Sequence, residues 1–241
     1  NVGEPVAHIS EGIYSFVAED EARLTRQLSL TASVGWFGRQ GYKVEEYNSK
    51  TGISDLPNSH DSNINALAAL DYHPSANQRL RFTIGRSSLF ARMKDRYSYK
   101  LGKAIPNPDL GTQNAINLDI NYEGRWHNLS WQAGAFYNFI NDIIQEVTGV
   151  DASDPKIYQL QNRGKAQYRG FELGVGYELS WLTARANYSM TDQRNMDNKD
   201  LKFLYSPKSK FTAFMEFRPI WHLRLQGRLI AQSKAYSSSD G

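Results

Sequence analysis

Leu28-Ser29-Leu30-Thr31-Ala32-Ser33-Val34-Gly35-Trp36 places an apolar side chain at every even position and a small or polar one at every odd position. Successive side chains leave a β-strand on opposite faces, so this spelling predicts a strand with one apolar and one polar face. The alternation returns in Ile116-Asn117-Leu118-Asp119-Ile120-Asn121-Tyr122, in Phe171 to Leu179 and in Leu182 to Tyr188. Fainter versions run through Ile64 to Tyr72, Leu80 to Ile84, Leu129 to Tyr137, Phe211 to Phe217 and Leu223 to Leu229. Counting Tyr14 to Leu24, the periodicity predicts about ten strands. Many are long beside the five or six residues or so of an ordinary strand. A strand tilted by roughly 45° needs about 9–11 residues to cross a bilayer, and that gives the length a reason.

The connections alternate as the faces do. Short turns are expected at Leu24 to Gln27, His73 to Gln78, Gly124 to Asn128, Leu179 to Trp181 and Arg218 to Trp221. Long polar segments are expected at Gly38 to Asp61, Arg92 to Gly111, Asn141 to Pro155 and Asp192 to Lys202. Tight turns at one end and extended loops at the other are the habit of outer-membrane barrels. Aromatic rings favour the membrane–water boundary. Tyr72, Tyr122, Tyr177 and Phe217 close strands before short turns, with Trp126, Trp181 and Trp221 in or beside those turns; Trp36 marks the opposite rim. A soluble β-sandwich would explain one such strand, with the apolar face as its core. Repetition of the pattern, with aromatics at both rims, favours the membrane barrel.

Composition agrees and excludes other classes. The 241 residues carry 14 Tyr, 11 Phe and 5 Trp. The 28 basic and 25 acidic side chains are intermixed, leaving a net charge of +3 and no basic stripe for nucleic acid. No run approaches the roughly 18 apolar residues of a membrane helix, and the absence of Cys removes thiolate metal sites and disulfides. His8, His60, His73, His127 and His222 lack metal-ligand spacing, and no nucleophile elbow or phosphate loop appears. No catalytic residue, metal site or cofactor is expected.

The polar faces supply candidates of another kind. Asp119, Glu123, Glu172, Arg185, Glu216, Arg224 and Arg228 suit a wet or plug-filled lumen. In the second long segment, Arg92, Lys94, Arg96, Tyr97, Tyr99 and Lys100 offer cations and aromatic faces suited to an anionic, aromatic chelate. Asn107-Pro108-Asp109 joins a restricted pre-proline residue to a turn former and is expected to re-aim the chain into the next strand. Gly164 and Gly170 are expected to mark a bend or a close backbone approach within a strand run.

Several of these segments resemble the barrel of TonB-dependent receptors. The most specific runs from Lys94-Asp95-Arg96-Tyr97 to Asn107-Pro108-Asp109-Leu110, with support from Tyr137-Asn138-Phe139-Ile140-Asn141-Asp142 and from Asn162-Arg163-Gly164-Lys165-Ala166 leading to Arg169-Gly170-Phe171-Glu172. Gly111-Thr112-Gln113 departs from the family's usual wording, as does the absence of proline in Leu89 to Met93. The resemblance implies an all-β, antiparallel, up-and-down transmembrane barrel of about 22 strands closed by an N-terminal plug. Residues 1–241 are then expected to be one barrel-domain fragment without the plug and the last strands. The implied function is energy-coupled uptake of a ferric siderophore or similar bulky nutrient at the outer membrane of a Gram-negative bacterium. A passive porin, a structural barrel and a cobalamin receptor are the alternatives. Implied partners are outer-membrane lipid, the receptor's own plug, the TonB complex through that plug and a siderophore-like ligand, with the receptor a monomer.

Overall fold

A computed structural model describes residues 5–48, 52–97, 102–197, 206–220 and 222–236. Tyr99, Lys100 and Trp221, named above as site candidates, lie outside the described residues. The wall strands are β1 (Ile9–Arg23), β2 (Leu28–Asn48), β4 (His60–Ser75), β5 (Gln78–Leu89), β7 (Gln113–Trp126), β8 (Leu129–Asn141), β11 (Lys165–Glu178), β12 (Leu182–Asn195), β13 (Ser209–Ile220) and β14 (Leu223–Gln232). They form one antiparallel sheet in that order, each beside its predecessor. Among the described residues, four smaller elements lie at the long-loop end: β3 (Gly52–Asp55), β6 (Ala104–Ile105), β9 (Ile144–Thr148) and β10 (Tyr158–Asn162), with one short helix, α1 (Met93–Tyr97).

Register carries the sequence alternation into two continuous faces. One row passes from Leu30 through Leu70, Phe82, Ile120 and Ala135 to Phe171 and Met190. The neighbouring row on the other face passes from Thr31 through Ala69, Thr83 and Asp119 to Phe136. Val34, Ile64, Phe82, Ile120, Leu173, Met215 and Leu229 are all exposed on the apolar face. So broad an apolar surface is unfavourable in water and natural against lipid. Lipid offers no hydrogen bonds, so the chain crosses as strands whose backbone groups pair with their neighbours along the sheet from β1 to β14. Strands of 12 to 16 residues at β4, β5, β7 and β8 are long enough, at roughly 3.3 Å per residue and the tilt of a barrel, to cross the hydrocarbon. This is a partial transmembrane barrel.

The short turns fall where the alternation stops. His127, with φ 51°, and Asn128 make a two-residue turn, a conformation that favours positive φ. Pro74 and Pro219 each sit where the ladder slips, between Tyr72 and Ser75 and between Phe217 and Ile220. Proline has no N–H for the ladder, and a bulge is where a strand tolerates it. Adjacent turns are stitched together: His73 N–H donates to Gln27 O at 2.7 Å, Arg125 N–H to Asn77 O at 2.9 Å, Glu178 N–H to Asn128 O at 2.9 Å and Arg218 N–H to Trp181 O at 2.8 Å.

The long segments depart from expectation. Gly38 to Asp61 is mostly strand: β2 runs on to Asn48, and β3 folds back on it from Glu45↔Asp55 to Asn48↔Gly52. Trp36 therefore lies inside β2, stacked on Phe16 at 6.0 Å between ring centres. Backbone pairing needs no apolar face to continue beyond the bilayer, so polarity in the sequence marks the end of the lipid rather than the end of the strand. Asn141 to Pro155 contains β9, and Gly164 stands between β10 and β11 with φ 107° rather than within a strand. Gly170 is a close approach, since a Cβ there would run into the Met190 carbonyl and the Phe136 ring.

Candidate functional site

The outer ends of the strands carry an ordered layer built from two loops. The loop between β5 and β7 supplies α1 and β6; the loop between β8 and β11 supplies β9 and β10. β10 pairs antiparallel with β9 and parallel with β6, through Tyr158↔Ala104 and Gln159↔Ile105. Neither loop could form this sheet alone. Asn107 Nδ2 donates to Leu160 O at 2.8 Å, and Gln159 Nε2 to Pro106 O at 3.0 Å. Asn162 binds both directions of the Gly111 peptide, accepting from its N–H and donating to its carbonyl, and also donates to Asp142 O. Asn107-Pro108-Asp109 thus sits at the junction, with Leu110 wholly buried behind it.

The layer is fastened to the wall by two buried arginines on one carboxylate. Arg39, on the polar face of β2, and Arg96, on α1, are 4% and 1% exposed. Asp61 Oδ2 accepts from Arg39 Nη2 at 2.9 Å and from Arg96 Nη2. Arg39 also donates to Ala91 O at 2.7 Å and to Ser59 Oγ at 3.2 Å, with Glu11 3.4 Å away. Arg96 donates to Pro108 O at 3.3 Å, and its own carbonyl accepts from Asn107 N–H at 2.6 Å. Tyr97 is buried beside it, its hydroxyl donating to Pro57 O at 2.7 Å. Burial lowers the Arg96 pKa, and Asp61 opposes that shift. Both guanidinium Nε atoms lack a partner among the described residues.

The loop candidates therefore divide. Arg96 and Tyr97 face inward and hold α1 against the wall, leaving almost no surface for a ligand. Arg92 and Lys94 are exposed, with Arg92 bound to Asp95 at 2.7 Å. The sequence marks neither Arg39 nor Asp61, and Asn162 only as the opening of Asn162-Arg163-Gly164. The polar phase of β2, Gly35-Phe37-Arg39, could have flagged Arg39; nothing local marked Asp61.

The lumen candidates share one face of the sheet. Asp119 pairs with Thr83 and Phe136, Glu172 with Gly134 and Ser189, Arg185 with Gly176 and Phe214, and Arg228 with Phe214. At the short-turn end two ion clusters tie neighbouring strands. Asp71 is bound by Arg79 at 2.6 Å and lies 3.8 Å from Arg81, while Arg79 approaches Glu123 at 3.6 Å. Glu216 accepts from Arg218 Nε at 2.6 Å and Gln226 Nε2 at 2.6 Å, with Arg224 at 3.7 Å. The aromatics occupy the apolar face: Tyr72 beside Leu28 and Leu80, Tyr122 beside Leu80 and Ala133, Trp126 beside Leu129, and Tyr177 beside Leu129 and Ala184. Trp181, in its turn, meets the Phe217 ring edge-on at 5.9 Å.

A wall apolar outside, polar inside, girdled by aromatics and roofed by interlocked loops defines a transmembrane barrel of the outer-membrane type. Residues 3–241 match the family described as TonB dependent receptor-like, beta-barrel, and the chain belongs to that family. It is similar in fold to the ferric yersiniabactin uptake receptor FyuA of Yersinia pestis (TM-score 0.74, 12% identity, 97% of this chain and 36% of that one). It is also similar to the ferric-catecholate import receptor Fiu of E. coli (0.72, 14%, 98% and 36%). The FrpB iron transporter of Neisseria meningitidis is a third (0.65, 16%, 88% and 31%). The chain spans about a third of the length of each.

Proposed function

We propose that this wall belongs to a receptor in the outer membrane of a Gram-negative bacterium that takes up a ferric siderophore or a similarly bulky nutrient, driven through TonB. The observation that carries the reading is the family match across nearly the whole chain. The neighbours named for ferric chelates add support to an iron-chelate cargo. The receptor works as a monomer, with a plug of its own in the lumen and TonB reached through that plug. The polar residues Asp119, Glu172, Arg185 and Arg228, which have no ion-pair partner among the described residues, face that plug. The ordered outer layer meets the ligand first, and its exposed cations Arg92 and Lys94 suit an anionic chelate.

A strain deleted for the full-length receptor is expected to lose growth and radio-iron uptake on its cognate ferric chelate, with rescue by the intact gene and none when the proton-motive force is collapsed. Energy-independent uptake would overturn the reading in favour of a passive pore. Replacing Arg92 and Lys94 together with Ala is expected to weaken chelate binding; unchanged affinity would remove them from the ligand surface.

A further inference from the structure

On the lipid side of the wall, at the long-loop end, Arg169 and Arg194 break the apolar face side by side. Register places Arg169 of β11 between Tyr137 of β8 and Asp192 of β12. The row immediately nearer the membrane centre on that face is Ala135, Phe171 and Met190. Asp192 Oδ2 accepts from Arg169 Nε at 3.1 Å and Nη2 at 3.0 Å, and from Arg194 Nε at 2.8 Å. One carboxylate thus holds two guanidiniums in place and leaves a net positive charge. The two side chains are 46% and 55% exposed, whereas Asp192 is 27% exposed beneath them. Arg169 Nη1 and both Nη atoms of Arg194 have no partner among the described residues.

A guanidinium at the edge of hydrocarbon is stable only where a polar group meets it. Directly below, Phe171 and Tyr188 pack their rings 5.8 Å apart, and Phe171 and Met190 are exposed. Cationic forks sit above an apolar floor, which is the layout of a phosphorylated lipid with its acyl chains pointing inward. Guanidinium matches phosphate bidentately, and Asp192 fixes the forks before the lipid arrives.

We propose that Arg169 and Arg194 clamp the phosphorylated headgroup of an outer-leaflet glycolipid, whose acyl chains lie over Phe171 and Met190. The inference rests on the outer-membrane placement proposed above. The test uses the full-length receptor, extracted from outer membranes in mild detergent, with bisphosphorylated lipid A as probe and native mass spectrometry to count what stays bound. Charge-assisted forks to phosphate predict about a tenfold loss of retained lipid for Arg169→Gln with Arg194→Gln, and a partial loss for Arg194→Gln alone. Lipid A with a single phosphate is expected to be retained less than the bisphosphorylated form. Heat-modifiable migration checks that each variant has folded, and the single variant serves if the double one has not. Equal retention by folded wild type and variants overturns the clamp while leaving the transport reading intact. Stripping of the lipid by inorganic phosphate alone also overturns it, because the acyl floor would then contribute nothing. Recovery of the receptor outside the outer-membrane fraction overturns both readings.

Discussion

The wall and the loop layer are ordered by different physics. In the wall, each strand repeats one rule, and a side chain's role follows from its parity. Ala133, Ala135 and Leu173 could be exchanged for other apolar residues without changing that rule, because lipid is a tolerant neighbour. In the layer, single polar side chains carry the structure: Asp61 holds two arginines, Asn162 holds two loops, and Asn107 joins β10 to the chain leaving α1. Redundancy protects the wall; the layer has a few keystones.

Asp61→Ala breaks the comparison hardest. It leaves Arg39 and Arg96 buried without their shared anion, a loss of about 3–5 kcal/mol for a buried pair. The loss is expected to be local: amide exchange and protease cleavage should rise across α1 and residues 104–110, while heat-modifiable migration of the barrel stays unchanged. Loss of the folded barrel would show that the lock supports the wall as well. Leu173→Arg tests the opposite region, placing a charge on the lipid face at a cost of roughly 2–4 kcal/mol near the midplane. Here the global unfolding midpoint in denaturant should fall and the outer loops should keep their protection.

Asn162→Ala comes next. It removes the two hydrogen bonds to Gly111 that join the loops and one to Asp142 within its own loop, and with about 1 kcal/mol net for each bond the coupling of β6 to β10 should weaken measurably. Exchange is expected to quicken at Ala104 and Ile105 and at Tyr158–Leu160 together; quickening in only one would show that the loops are ordered separately. Arg92→Ala gives the smallest effect. Its pair with Asp95 is exposed and screened by salt, so stability should not change detectably, and any loss in chelate affinity would report binding rather than folding.

The same contrast explains what could be read from the sequence. The ten wall strands were legible because lipid on one face imposes a strict period, and Leu28 to Trp36 or Phe171 to Leu179 display it without help from tertiary context. The inner turns were legible too, since Pro74, Pro219 and His127-Asn128 interrupt that period where the chain reverses. The outer extension of β2 was hidden because, beyond the bilayer, both faces become polar and only the backbone ladder persists. Arg96 and Tyr97 looked like ligand contacts for a related reason. Cations and aromatics in a polar loop suit a chelate and a buried clamp equally, and the choice depends on Asp61 and Pro57, some 35 and 40 residues away. Local sequence carries no trace of such a partner.

The parallel pairing of Ala104–Ile105 with Tyr158–Gln159 has an immunological consequence. With the outer-membrane placement proposed above, the outer layer there is assembled from two stretches about fifty residues apart, so a synthetic peptide copied from either loop presents half of an epitope. Antibodies raised against such a peptide should recognise the denatured chain better than intact cells, and a vaccine or phage-display target drawn from this region needs both loops held on the barrel.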